Sequence, residues 1–465
     1  MAGGRRDLTQ GPIGRTMVLF AIPTLVANIL QSLNVSINTI WIGRFLGEKA
    51  LAATANASNI IFLAFSAMFG FSMAAMILVG QHIGRKDLDS ARRAFGAAVS
   101  LMLAISIVIL GFGTGLTDRL LHLLGTPQEA LPLASTYLKV MMLSLPFAAI
   151  IVVLMMNLRA IGDAMTPLWF MIVGIIFDAG LNPFLIAGIG PFPAMGIAGS
   201  AVATLVSNVV TAVGMVVVIY WRDLPIRLRG REFRYLLPPP ALLRLIFEKG
   251  VLMGLQMFVM TMSGLAMVGL VNHAGTIAVA AYGVAFQLWN YVQMPSMAVG
   301  AAVSAMAAQN IGAGRWDRVS AITRSGLVFH LLLTGSLILL LTYFDRAVLG
   351  LFLGPDSAAI PIAQRIQHIA GWSFLLSGAT MVLFGTVRAN GAVLVPLIVF
   401  VIGLLLCRIS FATLMQPIYG VDALWWAFPF GSIVTVSLAT LYYLHGGWRK
   451  GSLVAEAELA EQGAA

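Results

Sequence analysis

One acidic residue differs from the others because the sequence around it is apolar. Asp178 is the only one of the 18 acidic residues predicted to lie well inside a membrane-spanning helix. A carboxylate at that depth costs on the order of 3 kcal/mol on insertion scales, so a functional role with a specific partner is the first interpretation. Asn182 follows one helical turn later, and Pro183 removes a backbone donor beside it. Together Asp178 and Asn182 could ligate a cation; the alternative is a protonated Asp178 that only hydrogen-bonds a neighbouring helix.

Two further predicted helices carry polar side chains at helical spacing. These polar stripes are Gln31, Asn34 and Asn38 in the first span, and Ser200, Thr204, Asn208 and Thr211 in the sixth. In lipid, a polar stripe must face protein or a water-filled cavity. Helix packing alone could explain each stripe, but three polar helices in one half of the chain favour a polar chamber.

The second half of the chain has no carboxylate inside a predicted span. Its thioethers, aromatic rings and amides suit varied apolar or cationic ligands. The candidates for a substrate cavity are Gln31, Asn34 and Asn208 in the first half, with Gln256, Met257, Met260, Tyr282, Gln287 and Asn290 in the second. Ordinary helix packing is the alternative for each of them. Lys139 and Arg408, the basic residues within spans, are expected to extend to the outer interface.

Composition predicts the elements that position these residues. Apolar residues make up 59% of the 465 residues and charged residues 10%, and the mean hydropathy is +0.93. A soluble surface cannot carry so much apolar sequence, so we expect an all-α polytopic membrane protein. The twelve predicted transmembrane spans lie near 17–42, 50–80, 94–116, 131–157, 165–187, 196–221, 246–272, 278–308, 325–343, 361–387, 393–415 and 422–444.

The basic residues predict the orientation of the chain in the membrane. Most of the 28 lysines and arginines fall in segments on the same side as the N-terminus. Since cytoplasmic loops carry an excess of Lys and Arg, both termini are predicted to be cytoplasmic in the inner (plasma) membrane. Topology therefore explains the net charge of +10, and no nucleic-acid partner is expected. Cys407 is the single cysteine, so no intramolecular disulfide can form.

The chain contains two copies of one unusual pattern. The sequence Arg159-Ala160-Ile161-Gly162, followed by a proline, occurs again later in the chain as Arg388-Ala389-Asn390-Gly391, and its proline follows at the same spacing. Such self-similarity indicates a duplication, and six spans per copy make the repeats parallel. We therefore expect two six-helix lobes around a central cavity. The predicted domains are an N-terminal lobe at 1–221, a cytoplasmic linker at 222–245, a C-terminal lobe at 246–445 and a cytoplasmic tail at 446–465, which we expect to be disordered after Lys450.

These motifs resemble the prokaryotic multidrug and toxic compound extrusion (MATE) transporters. Each copy has Gln-x-x-Gly after its second span and Arg-Ala-x-Gly after its fourth. Further similar stretches are Trp41-Ile42-Gly43-Arg44, Ala50-Leu51-Ala52-Ala53, Asn182-Pro183-Phe184-Leu185-Ile186 and Gly199-Ser200-Ala201-Val202-Ala203-Thr204. The resemblance implies antiport, in which inward proton or sodium flow drives export of organic cations and other toxic compounds by alternating access.

The resemblance also implies a set of ion-coupling residues. Prokaryotic members combine an Asp on the first helix, an Asn and an Asp one turn apart on the fifth, and a Thr on the sixth. The corresponding positions here are Asn38, Asp178 and Asn182 in exchanged order, and Thr204. Carboxylates found in the second lobe of some branches are replaced by Met260 and Ser377. We expect Asp178 to bind the coupling ion, with the three neutral residues as oxygen ligands.

The expected partners are a small organic substrate and the lipid bilayer. We expect a monomer without a cofactor, and without a bound metal other than sodium at Asp178. A flippase or exporter of lipid-linked or amphipathic substrates is the second interpretation, although it would need several basic residues to hold phosphates. An intramembrane enzyme is not expected, because catalysis would need clustered partners around the single carboxylate.

Overall fold

The computed structural model describes residues 7–451 and 453–462, and every regular element in these ranges is helical. The α-helices are α1 (Ile13–Gly84), α2 (Leu88–Leu123), α3 (Leu131–Ala160), α4 (Met165–Ala187), α5 (Ile197–Trp221), α6 (Pro240–Asn272), α7 (Thr276–Gly312), α8 (Trp316–Tyr343), α9 (Asp345–Leu353), α10 (Ile360–Ala370), α11 (Ser373–Arg388), α12 (Leu394–Phe400), α13 (Arg408–Tyr419), α14 (Asp422–His445) and α15 (Leu453–Gln462). A π-helical turn, Val401–Cys407, joins α12 to α13. The predicted all-α class is confirmed.

Nine helices in the described ranges are long and apolar enough to cross a membrane, or ten if the bent pair α10 and α11 forms one span. One of the nine, α1, contains two predicted spans, since the backbone breaks at Gly47, where φ is +78°. Glycine tolerates this left-handed conformation, which most L side chains avoid. The eighth predicted span lies within α7, which is not one of the nine helices that meet the length and hydropathy criteria for a span. Each of the twelve predicted spans therefore coincides with a helical segment.

The chain divides into two compact units. The first comprises the described parts of residues 1–7, 26–254 and 456–465, and the second comprises residues 8–25 and 255–455. The predicted domain boundaries at 221, 245 and 445 stay predictions.

Close backbone contacts hold α4 and α5 together in the first unit. A Cβ atom on Gly199 would lie 2.3 Å from the carbonyl oxygen of Leu185, so only glycine allows this approach. Farther along the pair, the hydroxyl of Ser207 donates to the carbonyl oxygen of Gly174 at 2.6 Å. Helix α3 packs on α5 and on α2. These contacts fix the rotation of α4 and thereby the direction in which its polar residues point.

Aromatic rings form the core of the second unit, in which α7 packs against α8 and α11. Tyr282 stacks on Trp425 with ring centroids 5.8 Å apart, and the Trp289 and Phe428 centroids are 5.0 Å apart. The indole of Trp289 donates to Oε1 of Gln367 at 2.9 Å, which satisfies its one polar atom. Rings of this size dominate the energetics of a core because each buries a large apolar area.

The predicted linker is a folded part of the first unit. Its residues Gly230–Leu236 form a 3-10 helix, in which Glu232 pairs with Arg92 at 2.6 Å and the hydroxyl of Tyr235 donates to Asp89. At the start of the linker, a hydrogen bond from Arg229 holds the pKa of Asp223 below its usual value. The linker is therefore held on α2 by charged and polar contacts.

The prediction of a disordered tail is wrong for Leu453–Gln462, which form α15. Glu456 pairs with Lys249 at 2.7 Å, and Glu458 pairs with Arg85 at 2.6 Å. The acidic residues that suggested disorder in the sequence instead meet basic residues of the first unit. Such pairing was not visible in the sequence because the partners lie more than 200 positions away.

Candidate functional site around Asp178

Asp178 lies near the middle of α4 and is buried, with 2% of its surface exposed. The carboxylate of Asp163 begins this helix by accepting hydrogen bonds from the backbone of Met165 and Thr166 at 3.1 and 2.9 Å. Satisfying these otherwise unpaired N–H groups sets where the helix starts. Pro183 lies inside the helix, and Asn182 beside it is fully buried.

The carboxylate of Asp178 accepts four hydrogen bonds, all from neutral groups. Its Oδ2 atom accepts from Nδ2 of Asn34 and from Nδ2 of Asn38, both at 2.8 Å. Its Oδ1 atom accepts from the hydroxyl of Thr204 at 3.0 Å and from Nδ2 of Asn182 at 3.2 Å. Three helices, α1, α4 and α5, therefore meet at one acidic group.

No basic side chain pairs with Asp178 among the side chains that the structure describes. A buried carboxylate is normally paired with a cation, because its charge loses the solvation of water. Here four neutral donors compensate for part of that loss. An ionised Asp178 gives this cluster a net negative charge, which a proton or a small cation would balance.

Two amide oxygens beside this carboxylate have no hydrogen-bond partner. The Oδ1 atoms of Asn34 and Asn182 are both buried and unpaired, whereas Oδ1 of Asn38 accepts from Nδ2 of Asn182 at 3.1 Å. Unpaired acceptors of this kind are uncommon in buried positions and call for a physical reason. One carboxylate with two free amide oxygens is the set of ligands that a hard cation prefers. The residues present therefore fit a bound cation.

The sequence-based hypothesis missed one member of this cluster. Asn34 was assigned to the substrate cavity, yet it donates directly to Asp178. The spacing of Asn34 and Asn38, one turn apart on one face, was the available signal for Asn34.

The other polar residues that the sequence analysis singled out in the first unit make none of the described hydrogen bonds to the Asp178 carboxylate. Gln31 is exposed and Asn208 is half-buried, while Ser200 and Thr211 are buried. Their contribution to a substrate cavity stays a prediction.

The candidates for substrate contact in the second unit differ in burial and in their hydrogen-bond partners. Gln256 is buried and donates to the carbonyl oxygen of Val393 at 2.9 Å, while the exposed Gln287 donates to the hydroxyl of Tyr291 at 3.0 Å. Tyr282 is 3% exposed within the aromatic core. Met257 and Met260 are half-buried and Asn290 is exposed. The described contacts contain no hydrogen bond between any two of these six residues, and their substrate role stays a prediction.

The expected position of Arg408 at the outer interface is wrong. This residue is 8% exposed, and its guanidinium carbon lies 4.7 Å from the centroid of the Phe428 ring. Lys139, the other basic residue within a predicted span, is exposed, and its extension to the outer interface stays a prediction. Hydropathy could not separate the two, because the depth of a side chain depends on how its helix rotates and packs.

Comparisons with known proteins agree with the fold and the duplication. The family model MatE matches residues 23–184 and again residues 253–414. The probable multidrug resistance protein YoeA of Bacillus subtilis is 32% identical to this chain over 441 residues, which cover 94% of this chain and 95% of YoeA. The probable multidrug resistance protein YpnP of the same organism is 31% identical over 451 residues, which cover 97% of this chain and 99% of YpnP. An outward-facing structure of a multidrug resistance MATE family transporter superposes with a TM-score of 0.86 at 20% identity, covering 97% of this chain and 98% of that one. The two-lobe helical fold predicted from the sequence is thereby confirmed.

Proposed function

The chain belongs to the MATE family of multidrug efflux transporters, and we propose that it is an antiporter in which proton or sodium entry drives the export of organic, often cationic, drugs or toxic metabolites. It is a multi-pass membrane protein, and its relatives are transporters and not enzymes. The proposal places it in the inner (plasma) membrane as a monomer without a cofactor, with both termini in the cytoplasm.

One observation carries the ion-coupling part of the proposal. Asp178 is a buried carboxylate with four neutral donors and no basic partner among the described side chains, and the oxygens of Asn34 and Asn182 beside it are unpaired. A purely structural carboxylate would be expected to leave no unpaired acceptors around it. A group that gains and loses a cation has to leave acceptors available for it.

Alternating access follows if the ion and the substrate favour different states. When a proton or sodium neutralises Asp178, the amides of Asn34 and Asn38 lose most of the attraction that aligns them. The contacts of α1 with α4 then weaken, and the free energy of one conformation changes relative to the other. An ion shifts this equilibrium only by its difference in affinity for the two states. Substrate binding to the ion-free state would complete the exchange.

Dye efflux from proteoliposomes tests the proposal. The protein is reconstituted into vesicles loaded with ethidium, a cationic dye, and pH and sodium gradients are imposed separately. Valinomycin with equal potassium on both sides removes the membrane potential, so that each chemical gradient acts alone. We expect efflux under at least one gradient and none from protein-free vesicles. If neither gradient moves ethidium, the antiport proposal is contradicted, and export of lipid-linked or amphipathic substrates becomes the better interpretation.

A further inference from the structure

A cavity lies between α2 and the linker in the first unit. Its volume is about 300 Å³, and the residues that line it are Arg93 of α2 with Arg234, Tyr235, Leu237, Pro238 and Pro239 of the linker. Ligand pockets measure roughly 300–1,000 Å³, so this cavity has room for a small polar group. None of the lining residues belongs to the cluster around Asp178.

Close contacts between the linker and α2 hold the walls of the cavity in place. A Cβ atom on Gly96 would lie 2.5 Å from the carbonyl oxygen of Tyr235, so the linker backbone lies directly on α2. One turn farther along α2, the hydroxyl of Ser100 donates to the carbonyl oxygen of Leu236. A ligand therefore meets a cavity that is already formed and does not have to order it, which favours binding.

The cavity carries an excess of positive charge. The guanidinium carbons of Arg93 and Arg234 lie 5.5 and 5.6 Å from the centroid of the Tyr235 ring. Asp89 pairs with Arg93 at 2.8 Å and also accepts from the hydroxyl of Tyr235. Arg234 is exposed, and no carboxylate among the described side chains pairs with it. One carboxylate thus balances one of two guanidinium charges.

The cavity lies at one end of the membrane-spanning helices. Arg93 directly precedes the predicted span at 94–116. Trp221, which ends α5, is 82% exposed, and Leu237 of the cavity wall is 87% exposed. Exposed aromatic and apolar side chains next to arginines are typical of the level at which lipid headgroups meet the hydrocarbon core.

Charge, size and position together indicate the ligand. A guanidinium without an acidic partner binds phosphate oxygens through its parallel N–H donors, and a phosphodiester carries the single negative charge that balances this cavity. Basic pockets at the ends of membrane helices bind anionic headgroups. We propose that Arg93 and Arg234 bind the phosphodiester of an anionic phospholipid, whose acyl chains extend past Leu237 into the bilayer. This lipid stays bound, and the site is separate from the one that handles the coupling ion.

Native mass spectrometry of the purified full-length protein tests this inference by resolving single bound lipids. Two probes have identical acyl chains: dioleoyl phosphatidylglycerol, which is anionic, and dioleoyl phosphatidylcholine, which also carries a cation. We expect the wild type to bind the first phosphatidylglycerol about five-fold more tightly than phosphatidylcholine, the ratio expected for one unpaired basic residue. Arg234→Gln should bind both lipids alike. Arg234→Lys should keep part of the preference, because it retains the charge without the planar donors.

Arg231→Gln is the matched control for the loss of charge. Arg231 is exposed on the same 3-10 helix as Arg234, but it does not line the cavity. Its substitution should leave the preference for phosphatidylglycerol unchanged, and all three variants should keep the Tm of the wild type. The inference is overturned if the wild type shows no preference, if the preference survives in Arg234→Gln, or if both glutamine variants lose it equally. The last result would assign the binding to diffuse attraction by the basic linker.

Water-soluble phosphates distinguish a lipid from a free anion as the ligand. Glycerophosphoglycerol and inorganic phosphate should bind at least about ten-fold more weakly than phosphatidylglycerol, because they lack acyl chains that contact apolar surface. Binding of inorganic phosphate as tight as that of the lipid, and dependent on Arg234, would overturn the assignment to a phospholipid.

This inference and the antiport proposal can fail separately. Lipid binding is measured without an ion gradient or a transported substrate, whereas antiport is measured by ethidium efflux under a gradient. Ion-driven efflux of ethidium without a phosphatidylglycerol preference contradicts only the lipid site. A phosphatidylglycerol preference that depends on Arg234, without ion-driven efflux, contradicts only the antiport.

Discussion

Asn34 donates a hydrogen bond to Oδ2 of Asp178 at 2.8 Å, although the two residues are 144 positions apart in the chain. Asn38 donates to the same oxygen at the same distance from one turn farther along α1. Two amides on one face of α1 thus share a single carboxylate oxygen. In the proposed mechanism, a change in the charge of Asp178 therefore acts directly on α1 through both amides.

Replacing Asp178 with asparagine should abolish ion-driven efflux. The amide has nearly the same shape as the carboxylate but carries no charge, so it cannot exchange a proton or balance sodium. Efflux of ethidium under the effective gradient should fall to the level of protein-free vesicles. The folded protein should still be obtained, because the buried charge that is costly in lipid has been removed.

The control for this variant is Asp118→Asn, which removes an exposed carboxylate from α2. It should transport like the wild type. Full ion-driven efflux by Asp178→Asn would contradict the proposed coupling role, whatever the control shows.

The hydroxyl of Thr204 should contribute measurably to coupling, because it donates to Oδ1 of Asp178 at 3.0 Å. Thr204→Val keeps the shape and removes the donor. A hydrogen bond to a charged group is worth about 1.5–3 kcal/mol, so the apparent affinity for the coupling ion should change by about ten-fold or more. Ion titrations of efflux measure this change. Thr204→Ser should stay close to the wild type.

Thr39→Val is the matched control for the threonine variant, since Thr39 is exposed and its hydroxyl bonds only to the carbonyl oxygen of Val35. The control should leave ion dependence unaltered. Equal effects of the two valine variants would show that loss of any threonine hydroxyl is responsible, and would argue against a specific role for Thr204.

Sodium should stabilise the folded protein if it occupies the cluster around Asp178. A ligand that binds only the folded state raises its stability by mass action, and for a chain of 465 residues a gain of about 1 kcal/mol corresponds to a rise in Tm of about 1 °C. Thermal unfolding in sodium chloride is compared with unfolding in choline chloride at the same ionic strength. We expect the rise in the wild type and its absence in Asp178→Asn. An equal Tm in both salts, combined with transport under a pH gradient, would assign the coupling to protons.

Much of the cluster around Asp178 follows from the sequence, because two constraints act locally. A carboxylate within an apolar span is rare, and helical periodicity places Asn182 on the same face. The distinction between Asn34 and Asn38 does not follow from the sequence. Both lie on one face of α1, and which of them reaches Asp178 depends on the distance and rotation between α1 and α4. In the structure both of them do.

The position of Arg408 shows a second limit of the sequence. Hydropathy treats an arginine toward the end of a span as a side chain that reaches the interface. Its actual burial depends on the π-helical turn that precedes it and on Gly431, whose missing side chain leaves space beside Nε. Both features depend on how α13 and α14 pack together. A single sequence does not contain that information in any local pattern.

Gly199 should be required for the position of Thr204, although it makes no contact with Asp178. A Cβ atom at Gly199 would lie 2.3 Å from the carbonyl oxygen of Leu185, and the backbone would have to move to relieve this overlap. Gly199→Ala should therefore destabilise the protein by about 1–3 kcal/mol and lower its Tm. Because Thr204 follows on the same helix, the shift of α5 should also weaken ion-driven efflux in the protein that remains folded.

Gly180→Ala is the matched control, since Gly180 is an exposed helical glycine with nothing within 4 Å of its Cβ position. This substitution should be neutral or slightly stabilising. An unchanged Tm and normal efflux in Gly199→Ala would show that the contact between α4 and α5 is looser than these distances require.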